Sequence, residues 1–312
     1  MIGKERPHDR YRLLQTSRTP PAGPTPGRSG GRLRAEGRDG HQFLRQGSSA
    51  RLRRYRSRLF LIGERDSSLR ELSAALVRIS RDVVSRIPGT KIIPKRLRGT
   101  DLWSGCSVQR EDATIKIEPN LVMRGSLLPP ERRTLSPKAR SVFELSVECR
   151  MLAESELYAG KLYAALDRQH PRDLFDVLML FRYGVFDDAL RKAFIVYLIS
   201  SDRPMVELLN PGLSDIRSVF ETEFRDMADE EVTCEALEET RKALVARIAS
   251  DLTIPERQFI VSVKEGKPRW DLIGLEGVQN LPAVQWKLLN IGRMAPTKHQ
   301  QAVRKLRDYL GV

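Results

Sequence analysis

The sequence predicts an α+β fold in which a domain built on a mixed sheet precedes a helical C-terminal domain. Between residues 59 and 153, strand-like segments are interspersed with a helical segment, and from Ser155 onward apolar residues recur at helical spacing. The first part of the chain carries almost no apolar period. We therefore divide the chain into a basic segment (1–58), an α/β core (59–153) and a helical domain (154–312).

The positive charge of the chain is concentrated near its start. The net charge is +14, and residues 1–59 hold 15 Lys and Arg against 4 Asp and Glu, whereas the remainder holds 39 against 36. Residues 1–59 are also rich in Arg, Gly, Pro and Ser, so they cannot bury enough apolar surface to offset the entropy lost on ordering. One interpretation is a disordered basic tail that contacts RNA or DNA.

Composition also favours a cytoplasmic protein. No apolar run approaches the about 18 residues that a membrane span needs, and the basic N-terminus lacks the apolar segment of a signal peptide. The three cysteines, Cys106, Cys149 and Cys234, are far apart and have no metal-ligand spacing. This usage fits a reducing compartment and argues against a structural zinc site.

The α/β core is predicted from four segments. RLFLIG (58–63) is a short strand-like run, and 67–87 has the apolar spacing of a helix that ends before Gly89. A connection containing Gly and Arg follows. Residues 113–128 are predicted as a half-buried strand, because Ile115 and Ile117 alternate with Lys116 and Glu118, and 142–152 is predicted as another strand.

The helical domain is predicted from apolar spacing together with start and stop residues. Pro171 suits the first turn of a helix, and Gly184 suits the stop after it. The predicted helices are 155–168, 171–182, 187–200, 214–227, 234–250, 255–265, 281–292 and 297–310.

Six ionisable residues interrupt the apolar pattern of the first two of these helices, and we call this group the charged knot. It consists of Lys161, Arg168, His170, Arg172, Asp173 and Asp176. Helical spacing puts Lys161 and Arg168 on one face of the first helix, and puts Arg172, Asp173 and Asp176 on one arc of the second.

The charged knot has two interpretations that spacing alone does not separate. It is either a salt-bridge network that locks two helices together or a polyanion site whose cations hold phosphates. The small neighbours Gly160, Ala164 and Ala165 would leave room for a ligand beside Lys161. On the polar face of the strand at 113–128, Glu118 next to Lys116 is either a metal ligand or a solvated carboxylate.

The stretch ELYAGKLYAALDRQHPRDLFDVLML (156–180) closely resembles the AbiEii/AbiGii nucleotidyltransferase toxins of type IV toxin–antitoxin systems. The family pattern is a Lys on one helix followed by Arg-Asp-Leu-(Phe/Tyr)-Asp on the next. TIKIEPNLVMRGSLLP resembles the preceding strand segment of the family and places Glu118 at its acidic position. SDRPMVELLNP, LEETRKAL and LPAVQWKL extend the similarity over roughly residues 60 to 310.

The resemblance implies a nucleotidyltransferase-like sheet domain and a helical domain that carries the motif. Members of the family transfer a nucleotide from a nucleoside triphosphate with Mg²⁺, tRNA is the best-supported kind of acceptor, and a cognate antitoxin protein is the partner. On this resemblance we expect the following roles: Lys161, Asp173 and Asp176 catalytic; Arg172, Arg168 and Lys116 phosphate-binding; Glu118 a metal ligand.

The first motif of the family, a Gly-Gly-Thr or Gly-Ser turn followed by an Asp-x-Asp pair, is absent from the sequence as written. The region that should hold it reads EGRDGHQFLRQGSSARLRRYRSRLF. Read from the second base of each codon, 36–43 can encode Lys-Gly-Gly-Thr-Ala-Ile-Asn, and 53–60 can encode Ala-Asp-Ile-Asp-Leu-Val-Phe. The second interpretation of residues 1–59 is therefore an out-of-frame translation of a GC-rich gene.

A functional alternative from another class remains open at this stage. The chain could be a non-catalytic nucleic-acid-binding protein whose basic N-terminal arm contacts phosphates. Steep salt dependence of RNA binding that disappears when residues 1–59 are deleted would favour this alternative.

The frame interpretation predicts that the 312-residue chain as written has little or no transfer activity. Arginines stand where the paired carboxylates belong, and metal-assisted phosphoryl transfer needs those carboxylates. The measurement is incubation of the written and the frame-restored chain with labelled triphosphates, Mg²⁺ and total tRNA. Restoring the frame should recover a core strand and labelling, whereas robust labelling by the written chain would contradict the prediction.

Overall fold

The computed structural model describes residues 65–312 except 112, 121, 122, 124, 229 and 230. The basic segment 1–58 and the strand predicted at 58–63 lie outside the described residues. The α+β class is confirmed, because small sheets precede an all-helical region.

The described elements of the α/β core are these: α1 (Arg65–Arg86), β1 (Lys91–Arg96), β2 (Trp103–Arg110), β3 (Ala113–Ile117), β4 (Glu131–Thr134), α2 (Pro137–Phe143) and β5 (Glu148–Met151). The helical region contains α3 (Glu154–Arg168), α4 (Pro171–Tyr183), α5 (Asp188–Ser200), α6 (Met205–Leu209), α7 (Arg217–Glu223), α8 (Cys234–Asp251), α9 (Ile254–Lys264), α10 (Pro282–Gly292) and α11 (Pro296–Leu310). None of the helices in the described part of the chain is long and apolar enough to cross a membrane.

Helix α1 covers one face of an antiparallel sheet of order β1–β2–β3. Its apolar stripe, which includes Leu72 and Leu76, is buried. Its polar residues also contact the sheet: the Ser73 hydroxyl accepts a hydrogen bond from the Trp103 amide at 2.8 Å. The helix predicted at 67–87 is therefore confirmed, and among the described helices it is the one that covers this sheet.

The predictions for the strands were only partly right. The segment after Gly89, predicted as a connection, contains the β1–β2 hairpin, because Pro94 and the small polar residues of WSGCSVQR obscure the alternation. Strand β3 ends at Ile117 instead of continuing to 128. Pro119 lies two residues beyond the end of β3 and has no amide to extend the ladder.

The strand predicted at 142–152 is wrong over its first half. Residues Pro137–Phe143 form helix α2, whose N-terminus is capped by Ser136 and begins at a proline. Glu144 ends this helix in the left-handed conformation at φ 48°. The strand itself is Glu148–Met151, paired antiparallel with β4. The Ser-Pro pair is a helix-start signal that outweighs the β-branched residues after it.

The helical region follows the sequence more closely. Pro171 begins α4 and Gly184 caps its end, as predicted. The helix predicted at 214–227 is shorter, and α6 was not predicted because its five residues are too few to show a period. A large apolar core runs through α3, α4, α5, α8 and α9 and includes Leu162, Phe194 and Phe259.

Lys287 in α10 is a buried cation at the end of α5. Its ammonium group donates to the carbonyls of Ser201 at 2.6 Å and Arg203 at 2.7 Å. Burial, the largest cause, and the nearby charge of Lys264 together lower the pKa of Lys287 to about 8. The folded chain therefore releases this proton at a lower pH than the unfolded chain does.

We predict that Lys287 makes the folded state more stable as the pH rises from about 8 to about 10.5. In that window the unfolded chain binds more protons at Lys287 than the folded chain does. The contribution of Lys287 to the unfolding free energy therefore grows with pH, by on the order of 2–3 kcal/mol. The measurement is denaturant unfolding of the wild type and Lys287→Met between pH 7 and 10.5. The difference between them should rise with pH in favour of the wild type.

The variant Lys298→Met, which removes one exposed ammonium group, controls for the lost charge. If the difference in unfolding free energy between the wild type and Lys287→Met does not change between pH 7 and 10.5, the lowered pKa of Lys287 is contradicted.

Candidate functional site

A tight turn brings α3 and α4 side by side. Gln169 ends α3 in the left-handed conformation, at φ 51°, and its amide donates to the carbonyl of Ala165. The next residue, His170, caps α4 by accepting a hydrogen bond from the Arg172 amide at its Nδ1 atom, and Pro171 occupies the first turn. The sequence DRQHPRD thus ends one helix and starts the next within two residues.

Two ion pairs link the facing sides of these helices. Lys161 of α3 binds Asp176 of α4, and the Arg168 guanidinium donates to Asp173 at 2.7 Å. In each pair the cation belongs to α3 and the carboxylate to α4. Both carboxylates are largely withdrawn from solvent, since Asp176 is 10% and Asp173 15% exposed. The structure therefore brings together four of the six residues of the charged knot.

Burial and charge act in opposite directions on Asp173. Burial, the largest cause, raises the pKa of this carboxyl, and the negative charge of Asp176 raises it further. The charge and the hydrogen bond of Arg168 lower it, and the net pKa is above the ordinary value for an aspartate. A carboxylate with a raised pKa accepts a proton more readily than an exposed one does.

Glu223, at the end of α7, contacts the other two residues of the charged knot, His170 and Arg172. Its Oε2 atom lies 3.3 Å from His170 Nε2 and 3.5 Å from a guanidinium nitrogen of Arg172. Nothing in the sequence indicated this contact, because about fifty residues separate Glu223 from the turn and helix α7 was predicted without a functional role.

A buried polar network fixes the turn between α3 and α4. The Gln169 side chain donates to the carbonyl of Gly212 at 2.7 Å and accepts from the Ser214 amide at 3.0 Å. Arg241, which is almost fully buried, donates to Gln169 and to the Ser214 carbonyl, each at 2.7 Å. Sequence reasoning missed Gln169 and Arg241, since a lone polar residue carries no signal of its buried partners.

The small residues beside Lys161 serve helix packing more than ligand space. A Cβ atom on Gly160 would lie 3.2 Å from the ring of Tyr197, so the absent side chain lets α5 approach α3 closely. Ala165 is fully buried in the core. Of the three small neighbours, Ala164 is left partly exposed next to Lys161. The expectation that all three leave room for a ligand was wrong for Gly160 and Ala165.

Glu118 and Lys116 lie on the open face of the β-sheet, away from helix α1. Glu118 is half exposed and accepts a hydrogen bond from the Lys95 ammonium group at 3.0 Å, and this bond is the largest cause of its lowered pKa. Lys116 stands opposite Ser107 of β2 and is exposed. No described contact joins either residue to the charged knot.

The described carboxylates do not by themselves form a Mg²⁺ site. The described residues contain no group of three His, Cys, Asp or Glu side chains that could hold a metal ion. Asp173, Asp176 and Glu118 each already bind a cationic side chain. The cations of the knot, Lys161 and Arg168, are of the kind that binds phosphate oxygens in proteins.

We predict that removing one charge of the Lys161–Asp176 pair destabilises the folded state. Replacing both residues with apolar ones should leave the unfolding free energy nearly unchanged. Lys161→Met leaves a carboxylate nearly buried without its cation, which should cost about 2–4 kcal/mol of unfolding free energy. The double variant Lys161→Met/Asp176→Leu should recover most of that loss, because no charge remains unpaired. Denaturant unfolding of both variants checks this, and additive losses would contradict it.

Comparison with known proteins identifies the family of the chain. The family model described as "Nucleotidyl transferase AbiEii toxin, Type IV TA system" matches residues 59–276. Among solved structures the chain is similar to MenT4, a nucleotidyltransferase toxin from Mycobacterium tuberculosis H37Rv, with 17% identity, a TM-score of 0.44 and coverage of 70% of this chain and 74% of that one. No curated protein sequence matches the chain. Since the family match spans more than half of its length, the chain belongs to the AbiEii family of nucleotidyltransferase toxins.

Proposed function

We propose that this nucleotidyltransferase toxin, once its N-terminal reading frame is restored, transfers a nucleotide from a nucleoside triphosphate to an RNA acceptor, with tRNA as the acceptor class, and that the chain as written is inactive. The observation that carries the proposal is the pair of interhelical ion pairs in the charged knot, which lies within the residues that match the family. We also propose that the site lies on a helical domain of residues 154–312, and that a cognate antitoxin protein is the partner of this cytoplasmic toxin.

The reaction forms a bond between an acceptor oxygen and the α-phosphorus and breaks the bond to pyrophosphate. Lys161, Arg168 and Arg172 are the cations that bind the triphosphate, because phosphate oxygens can replace the carboxylates that these side chains now contact. Before the triphosphate binds, Asp176 holds the Lys161 ammonium group in position. Asp173 takes up the proton that the acceptor hydroxyl releases, and its raised pKa supports this role.

Mg²⁺ is part of the proposed reaction, in which it would neutralise charge on the phosphates. Its main ligands would be the Asp-x-Asp pair of the shifted reading of residues 53–60, which lie outside the described residues. Glu118 would add a ligand after releasing Lys95. Lys116, exposed on the same face of the sheet, would contact a phosphate.

The proposal predicts that Asp173→Asn in the frame-restored chain lowers transfer by roughly 100-fold or more, since an amide cannot accept the proton. The assay supplies total tRNA, Mg²⁺ and each triphosphate labelled at either the α- or the γ-phosphate. Nucleotidyl transfer labels RNA from the α-phosphate alone.

Asp226→Asn, an equal change at an exposed aspartate outside the knot, is the matched control and should leave the rate unchanged. Labelling from the γ-phosphate, or equal rates for the two variants, would overturn the proposal.

A further inference from the structure

Beyond residues 1–59, the positive charge of the chain is concentrated at its C-terminal end. Residues 264–312 hold nine Lys and Arg against four Asp and Glu, whereas residues 60–263 hold 30 against 32. The family match ends at residue 276, so α10 and α11 lie outside the matched region. The part of the basic end that follows residue 276 is therefore a feature of this chain that the family match does not account for.

Fewer of the Lys and Arg side chains at this end form ion pairs than in the preceding helices. In residues 154–263 at least nine of the thirteen Lys and Arg side chains form an ion pair. Among the nine in residues 264–312, ion pairs are formed by Arg269 and Arg307. Exposed cations without a carboxylate partner within the described part of this end are Lys267, Arg293, Lys298, Arg304 and Lys305.

Helix α11 and the turn after α9 form an open groove of about 510 Å³. The groove is lined on the α11 side by Gln300, Val303, Arg304 and Arg307, which recur at helical spacing, and on the other side by Glu265 and Lys267. His299 holds the two sides together, because its Nε2 atom is 2.7 Å from the carbonyl of Lys264. The groove is thus built on packed helices.

The lining of the groove favours a polyanion over a protein partner. Val303 is its one apolar side chain, whereas protein interfaces have an apolar centre. Its single carboxylate, Glu265, is already bound by Arg307. Around the same helix, Lys298 and Lys305 lie on the flank of α11 away from the groove, and Arg304 lies between that flank and the groove, so cations extend from the groove across the exposed face of α11.

We propose that the groove and the adjoining face of α11 bind the phosphate backbone of RNA. This inference rests on the proposed function, since it gives the RNA acceptor a docking surface. Phosphate contacts of this kind position RNA without reading its sequence, and each one releases counterions. The surface therefore acts in acceptor binding and is separate from the charged knot that handles the triphosphate.

The test is direct binding of a fluorescently labelled tRNA transcript to the full chain at 50–200 mM salt, without triphosphate or Mg²⁺. The variant Lys298→Gln/Arg304→Gln/Lys305→Gln should bind roughly tenfold or more weakly, and the slope of log K against log salt should fall in magnitude by about 2. All three side chains are exposed, so the fold is retained, which thermal unfolding verifies.

The matched control is Arg70→Gln/Arg81→Gln/Arg86→Gln, which removes the same charge from exposed positions on α1. It should bind like the wild type, because its three arginines lie outside the proposed surface. Residues 1–59 are identical in every chain compared, so their contribution to RNA binding cancels. Equal losses in both triple variants, or no loss in the α11 variant, would overturn the proposal. This assay measures binding and not transfer, so a negative result does not contradict the proposed transfer reaction. Conversely, a chain that is inactive in transfer but binds RNA through α11 would still support the docking surface.

Discussion

The ion pair between Lys161 and Asp176 is the interaction on which the geometry of the candidate site depends. It joins α3 and α4, and it lies where Asp176 is nearly out of contact with water. A charge in such a place is costly unless it has a partner, so the pair selects the register in which α3 and α4 face each other. The second pair, Arg168 with Asp173, is compatible with that same register.

The two interpretations of the charged knot are therefore not exclusive. In the absence of a ligand the cations neutralise the carboxylates and hold the helices together. In the proposed reaction, a triphosphate offers the same cations more negative charge than one carboxylate does, so it would compete for them at the same place. The buried contact of Gln169 with Arg241 lies behind the turn and does not involve these four side chains, so the turn can persist while the pairs exchange.

Much of the helical region could be predicted from sequence, because its helices begin and end with local signals such as Pro171 and Gly184. The facing of Lys161 and Arg168 toward the carboxylates of α4 also follows from helical spacing. The β1–β2 hairpin could not be predicted, since its alternation is interrupted by Pro94 and by small polar residues. Glu223 and Arg241 contact the knot and its turn across long sequence separations, and only the tertiary fold reveals such contacts.

The central claim is that the charges of the knot bind the triphosphate. The most direct test is the affinity of the frame-restored chain for a non-hydrolysable nucleoside triphosphate, compared with its Lys161→Met/Asp176→Leu variant. That variant removes both charges while leaving neither group unpaired, so loss of binding cannot be attributed to a broken fold if the two chains unfold alike. The account predicts binding at least roughly tenfold weaker in the variant, since a charged hydrogen bond to phosphate is lost. Equal affinity of the two chains would contradict it.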